Sequence, residues 1–306
     1  MLNSSEPNSP EQNASKPDDS KPSEPPEDMS VPGRQSRWVP SPRPVLLNAY
    51  DWTLLEAVSC HQPVTLPQLA RLLGRSDKGC QRTARRLFDT QLLTVLPGPP
   101  TSCMSPQNAA AVRGLTEAGA RRIGGKRYVP PPAWKLEHEL LVRDVVAWAT
   151  AACRTAGLAA PEVRYAVRLS GDLVPDAVLT IPVGDKALCA LIECDRSTEP
   201  ARQWRDKANK YARLLGLPDL TALVGRPRAR LLVICPDLAR CAWVDALLRE
   251  TGVTAWFNPL SVLTTDAFGL WRVSGGSQQP FLPPVLSDSN HPSHQPPPGR
   301  TPSSER

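Results

Sequence analysis

The sequence predicts a mixed α/β protein: a basic, mainly helical module, then a larger domain of strands and helices, between two disordered ends. Three observations predict this. Of the 35 prolines, 10 lie in residues 1–44 and 8 in residues 274–306, segments poor in aliphatics and rich in Ser, Asn, Gln and Glu. Such segments bury too little to offset chain entropy. Apolar residues recur at three-to-four spacing from Asn48 to Gln91, the mark of amphipathic helices. From Val163 onward, short apolar runs alternate with helical patterns, as in a sheet covered by helices. The 306 residues therefore divide into tail 1–44, module 45–128, domain 129–273 and tail 274–306.

The net charge of +6 hides a split: residues 1–36 carry 7 acidic and 3 basic side chains, whereas residues 45–128 carry 11 basic and 5 acidic. Residues 129–273 are nearly balanced, with 18 basic and 16 acidic. A positive excess confined to the first module suits a polyanion, although a merely solvated basic face has the same composition. No apolar run approaches the ~18 residues of a membrane span, so no membrane partner is expected. The start Met-Leu-Asn-Ser-Ser-Glu has no basic-then-apolar signal pattern. Eight cysteines without a Cys-x-x-Cys pair fit a reduced, cytoplasmic setting and do not fit structural zinc. Four histidines, two of them in the C-terminal tail, leave little material for His-based chemistry.

In the first module, Asn48–Cys60 reads as a helix with Trp52, Leu55, Ala57 and Val58 on one stripe. Thr65 caps a second helix, Leu66–Leu73, which Gly74 stops. Ser76 opens a third, Asp77–Gln91. Two short apolar runs follow, Leu92–Leu96 and Ala110–Leu115, separated by a Pro/Gly/Ser loop at 97–108 without Lys or Arg. Thr116 caps the last helix, Glu117–Ile123. Three helices, a two-stranded wing and a Leu115-Thr116-Glu117-Ala118-Gly119 helix start are the order of a winged helix-turn-helix. The third helix is then the recognition helix. Lys78, Arg82 and Arg85 share one face, with Arg75, Gln81 and Arg86 on its flanks, which suits phosphates of a duplex. A winged helix that binds protein or dimerises remains the alternative.

Pro130-Pro131-Pro132 separates the parts, and a long helix follows at Trp134–Ala156. Strands are expected at Val163–Leu169, Leu173–Ile181, Ala187–Asp195, Leu231–Cys235, Val253–Phe257 and Phe268–Val273, with helices at Glu199–Leu215 and Leu238–Glu250. Gly184-Asp185 is a two-residue hairpin signal. If it is the turn, Val183 pairs with Lys186, Asp176 lies opposite Glu193, and Asp176, Glu193 and Asp195 leave one face. Like charges so placed destabilise a sheet and call for a counterion. Mg²⁺ or Mn²⁺, which prefer hard oxygens, is the natural candidate. Lys207, Lys210 and Tyr211 on the next helix offer cationic and proton-handling groups. The alternative is a solvated strand end whose acids pair with Arg196, Arg168 or Lys207.

Pro175-Asp176 followed by Glu193-Cys194-Asp195 within an αβββαβ order resembles the PD-(D/E)xK core of restriction-endonuclease-like proteins. More specifically, the chain resembles the replication-relaxation family of plasmids and mobile elements. The matching pieces are His138-Glu139-Leu140, Pro175-Asp176-Ala177-Val178, Glu193 to Glu199, and Lys207 with Tyr211. The resemblance implies double-stranded DNA of a plasmid or element origin as the partner, beside a second copy or relaxation-complex proteins, and nicking with a divalent metal. Asp176, Glu193 and Asp195 would be metal ligands and Lys207 would steady the attacked phosphate, with water or Tyr211 as nucleophile. Glu139 would add an outer carboxylate, and His138 a packing or catalytic group. One departure is that Asp195 stands where the general nuclease pattern has Lys. The second reading is a non-catalytic DNA-binding accessory or regulator with a degenerate core.

Overall fold

The computed structural model describes residues 46–96, 111–261, 270–280 and 282. The expected N-terminal tail, the loop at 97–108 and most of the expected C-terminal tail lie outside these residues.

The first module is built by side-chain caps. α1 (Ala49–His61) begins where Asn48 and Asp51 each accept the other's backbone amide. A two-residue strand, β1 (Val64–Thr65), leads straight into α2 (Leu66–Leu73), where Thr65 and Gln68 make a second reciprocal cap. Two residues are too few to show alternation, which is why β1 leaves no trace in the sequence pattern. Gly74 ends α2 in the left-handed region at φ 63°. Ser76 caps α3 (Asp77–Asp89) and Thr116 caps α4 (Glu117–Ile123). Between these helices lie β2 (Leu93–Leu96) and β3 (Val112–Leu115), in a sheet of order β1-β3-β2. Leu54, Leu55, Val58, Leu69, Ala84, Leu87 and Leu115 are fully buried between sheet and helices.

The second part opens with α5 (Ala133–Thr155), β4 (Glu162–Tyr165), β5 (Ala177–Val183), β6 (Lys186–Cys194) and α6 (Ala201–Leu215). It continues with α7 (Thr221–Val224), β7 (Arg230–Cys235), α8 (Leu238–Glu250), β8 (Ala255–Pro259), β9 (Leu270–Val273) and β10 (Gln278–Pro280). The seven strands run β10-β9-β8-β7-β6-β5-β4, and β6, β7 and β8 are mutually parallel. Val178 and Leu191, with Leu231, Val233 and Phe257, form one core with Trp204, Ala208 and Tyr211 of α6 and Val244 and Leu248 of α8. α5 packs on β5, β6 and α2. No helix among the described residues is long and apolar enough to cross a membrane, and the seven described cysteines are all unpaired.

Besides β1 and α7, which the sequence expectation lacks, three details differ from it. β4 stops at Tyr165, because Ala166 turns into the left-handed region at φ 48°. β5 begins only at Ala177, so the ladder ends at Ala177–Ile192 and Asp176 does not stand directly opposite Glu193. The Asp176 amide donates instead to the Ile192 carbonyl at 3.0 Å. Finally, β10 lies inside the segment expected to be tail: Gly275 and Gly276, both at positive φ, turn the chain back so that Gln278 pairs with Arg272. An exposed polar edge strand has no compositional signature.

The two parts are held together by more than the connecting segment. Gln68 Nε2 donates to the Leu140 carbonyl at 2.9 Å and to Asp144 Oδ1 at 3.0 Å, in buried surroundings. Arg154 donates to the Arg71 and Leu72 carbonyls at the end of α2. Arg143 donates to the His61 and Gln62 carbonyls and lies 3.6 Å from the Tyr165 ring centre. His61 Nδ1 sits 2.6 Å from the Tyr165 hydroxyl. Burial, with help from Arg143, lowers the His61 pKa to about 4, so this histidine is neutral.

Candidate functional site

A dense polar cluster lies where the ends of β5 and β6 meet α5 and α6. Asp176 precedes β5, and its two oxygens take different partners: Oδ1 is 2.8 Å from His138 Nε2 of α5, and Oδ2 accepts the Cys194 amide at 2.8 Å. Glu193, on β6, is 2% exposed, and its Oε1 accepts from the Tyr211 hydroxyl at 2.5 Å and its Oε2 from Lys207 Nζ at 3.0 Å. Lys207 also donates to Glu199 Oε1 at 2.7 Å, while Glu199 Oε2 is buried without a hydrogen-bond partner. The helix α6 makes this possible: Lys207 and Tyr211 are four residues apart and reach the same carboxylate.

The electrostatics follow from burial and charge. Burial raises the Glu193 pKa to about 7; the Asp176 charge adds to this, while Lys207 and Tyr211 oppose it. For Lys207, burial works against the cation, but Glu193 and Glu199 outweigh it and the net shift is upward. His138 shows the same balance: burial disfavours its charge, and the bond to Asp176 reverses the sign. Burial first and the Glu193 charge second hold the Tyr211 hydroxyl far above its usual range.

Asp195 is not part of this cluster's hydrogen bonding. Its carboxylate pairs with Arg240 of α8 and accepts the Ser197 amide at 3.0 Å. Arg240 also donates to the Glu199 carbonyl at 2.6 Å and lies over the Trp243 ring. The expected convergence of three carboxylates is thus divided, because Asp195 lies beyond the end of β6 and turns to α8. Arg240 escaped the sequence reading, since nothing near Asp237-Leu238-Ala239-Arg240 singles it out. Among the described residues Glu139 has Lys135 as its ion-pair partner, at 3.9 Å, and Lys210 pairs with exposed Asp172. Among the described residues, no three His, Cys, Asp or Glu side chains gather as a metal-holding group. Asp176 and Glu193 are nonetheless hard-oxygen donors, and two carboxylates suffice for Mg²⁺, which keeps several waters.

The basic helix α3 is the second candidate surface. Lys78, Gln81 and Arg82 are exposed. Arg75 stacks on Tyr50, 4.3 Å from its ring centre. Arg75, Arg82, Arg86 and Tyr50 line an open groove of about 620 Å³ with Asn48, Ser76, Gly79 and Thr83. Two of the expected contacts are engaged internally: Arg86 pairs with fully buried Asp51, and Arg85 pairs with Asp89 at 3.1 Å.

Residues 55–221, more than half the chain, match the replication-relaxation family. The chain belongs to that family. Within this replication-relaxation chain, the matched stretch takes in α2, α3 and the whole Asp176–Glu193–Lys207–Tyr211 cluster, and ends before Arg240. No curated protein matches the chain. Among solved structures, Staphylococcus aureus MarR in complex with salicylate and kanamycin is 20% identical over 26% of this chain and 48% of its own, at a TM-score of 0.21. Restriction endonuclease FokI bound to DNA is 11% identical over 70% of this chain and 43% of its own, at a TM-score of 0.27. A second structure of restriction endonuclease FokI is 11% identical over 72% of this chain and 44% of its own, at a TM-score of 0.29. The chain spans less than half the length of each of these solved chains.

Proposed function

We propose that this replication-relaxation protein binds duplex DNA of a plasmid or mobile element through a winged helix-turn-helix and cuts one of its phosphodiesters at the Asp176–Glu193–Lys207 centre. The single observation that carries the reading is that centre: one carboxylate just ahead of β5 and a buried one on the neighbouring β6, with a lysine donating to the buried one. In this reading Asp176 and Glu193 hold Mg²⁺ or Mn²⁺. The ion, when bound, would stabilise charge on the attacked phosphate and lower the pKa of its water. Asp195 is a positioning residue rather than a ligand: with Arg240 it anchors the turn that delivers Glu199 to Lys207. Lys207 keeps its proton between Glu193 and Glu199 and supplies positive charge beside the phosphate. The burial of Tyr211 and its donation to Glu193 favour water as the nucleophile and give Tyr211 the task of orienting Glu193.

On the duplex side, Lys78, Gln81 and Arg82 carry the contacts, with Arg75 held on Tyr50. Relaxation of a supercoiled plasmid bearing the protein's own replicon tests the reading with Mg²⁺, Mn²⁺ or EDTA. Metal-dependent nicking should be lost in Asp176→Ala, with duplex binding retained. Arg82→Ala should weaken duplex binding and reduce its salt dependence. One observation favours a second reading, a non-catalytic DNA-binding accessory: all four oxygens of Asp176 and Glu193 already have protein partners. Metal-indifferent duplex binding without nicking would establish it.

A further inference from the structure

Between α4 and α5 the chain runs for nine residues, Gly124–Pro132, and its backbone is pinned along the way. The Gly125 amide donates to the Ala120 carbonyl, the Lys126 carbonyl accepts from Gln62 Nε2 at 2.8 Å, and the Tyr128 amide donates to the Leu115 carbonyl. Tyr128 itself is buried against Gly114, where an added Cβ would lie 2.5 Å from its ring. Just beyond, the Trp134 carbonyl accepts from Arg196 at 2.8 Å. The backbone is pinned, yet apart from Tyr128 the neighbouring side chains face solvent. Lys126 and Arg127 are exposed and have no side-chain partner among the described residues. Val129 is 75% exposed and Trp134 71%.

Among the described tryptophans Trp134 is the exposed one: Trp148, Trp204, Trp256 and Trp271 are buried, and Trp52 and Trp243 half-buried. Its place is informative. Trp134 stands four residues before His138 and so lies on the same side of α5, about 6 Å along the helix. His138 contacts Asp176. Arg196, which holds the Trp134 carbonyl, is the second residue beyond β6 and is neutralised by Glu137. An exposed indole on a pinned backbone near the centre, preceded by two cations without side-chain partners among the described residues, matches the chemistry of an unpaired nucleotide strand. Cations follow its phosphates, and an aromatic face takes a base whose own face is free. A duplex does not offer that face, because its bases are stacked on one another.

We propose that the segment from Lys126 to Lys135 is a binding track for single-stranded DNA, with Trp134 as the platform for an unpaired base beside the Asp176–Glu193 centre. The proposal rests on the DNA-processing role proposed above and adds that the strand at the centre is locally unpaired. Its test is fluorescence anisotropy of the full chain in EDTA, with labelled oligothymidylate and with a labelled duplex hairpin. Trp134→Ala should weaken oligothymidylate binding roughly five- to hundredfold, the effect of losing one base–aromatic stack. Trp134→Phe should restore most of it, and duplex affinity should stay within about twofold. Lys126→Ala with Arg127→Ala should lower the salt slope for oligothymidylate by about 1.4, at 0.7 per phosphate contact. Unchanged oligothymidylate affinity in Trp134→Ala, with duplex binding and nicking intact, would overturn this proposal alone and leave an acidic protein segment as the occupant. Equal loss on both DNAs would overturn it too, as a folding effect. Wild-type protein that binds neither DNA would overturn both this proposal and the function it rests on.

Discussion

Glu193 is the residue on which the candidate centre turns, because its burial and its ion pair act in opposite directions. Its pKa is raised from 4.5 to about 7, so the folded chain holds the proton more tightly than the unfolded chain. The associated stability is present below pH 4.5 and is lost as pH rises through about 7, with a slope of up to about 1.4 kcal/mol per pH unit. Glu193→Gln should remove that slope. Urea unfolding at pH 5 and pH 8 checks it: wild type should fall relative to the variant between the two, and parallel behaviour would show that Glu193 does not titrate there. Arg86 makes the opposite point. The sequence places it on the flank of the expected DNA-binding face, but its guanidinium neutralises Asp51, which is both fully buried and half of the α1 cap. Arg86→Met should therefore destabilise the fold by roughly 2–3 kcal/mol, less than for a fully buried pair because Arg86 is more than a third exposed. Chemical denaturation of Arg86→Met beside Arg82→Ala separates structural from binding roles, with Arg82→Ala expected within about 0.5 kcal/mol of wild type.

At the scale of elements, the start of α4 shows why Thr116 and Gly119 stand three residues apart. Thr116 accepts the Gly119 amide at 3.0 Å and donates to the Gln91 carbonyl at 2.6 Å, tying α4 to the chain before β2. A Cβ at Gly119 would lie 2.1 Å from the Leu92 carbonyl oxygen, a backbone atom that cannot move without disturbing β2. Glycine is thus required by close approach and not by its backbone angles. Gly119→Ala should destabilise by about 3 kcal/mol, measured as a shift in the denaturant midpoint. A near-neutral result would mean that the helix can slide on β2. The β5–β6 hairpin is the clearest case of legibility: Gly184-Asp185 between apolar runs specifies Val183↔Lys186 and the whole register to Ala177↔Ile192. The same rule fails one residue further on, because Asp176 leaves the ladder to accept the Cys194 amide.

For the whole molecule, the contact between the basic module and the α/β part matters most. Gln68 caps α2 with its carbonyl oxygen and reaches α5 with its amide nitrogen, so one buried side chain serves both parts. Arg143 and Arg154 add further bonds from α5 to the ends of α1 and α2. Leaving such groups unpaired costs about 1–3 kcal/mol each. The described residues should accordingly unfold in one cooperative transition. Calorimetry of the full chain should give a single peak, and Gln68→Ala should lower its midpoint without splitting it. Two resolved transitions would show that the modules fold independently.

The sequence by itself determined the main helices, the caps at Thr65, Ser76 and Thr116, the αβββαβ order and the hairpin register. These rest on local signals: period, capping chemistry, turn residues and spacing within a helix. It also carried the family resemblance that the match over residues 55–221 bears out. Only the tertiary structure decided where each charge finds its counterpart. Asp195 goes to Arg240, 45 residues away; Arg86 goes to Asp51; His138 goes to Asp176; and Gln68 goes to Asp144. Long-range ion pairs leave no periodic trace, because any exposed-looking Arg or Asp can serve any partner that the fold brings near it. Composition names the charges available to a site, and packing selects which of them remain there.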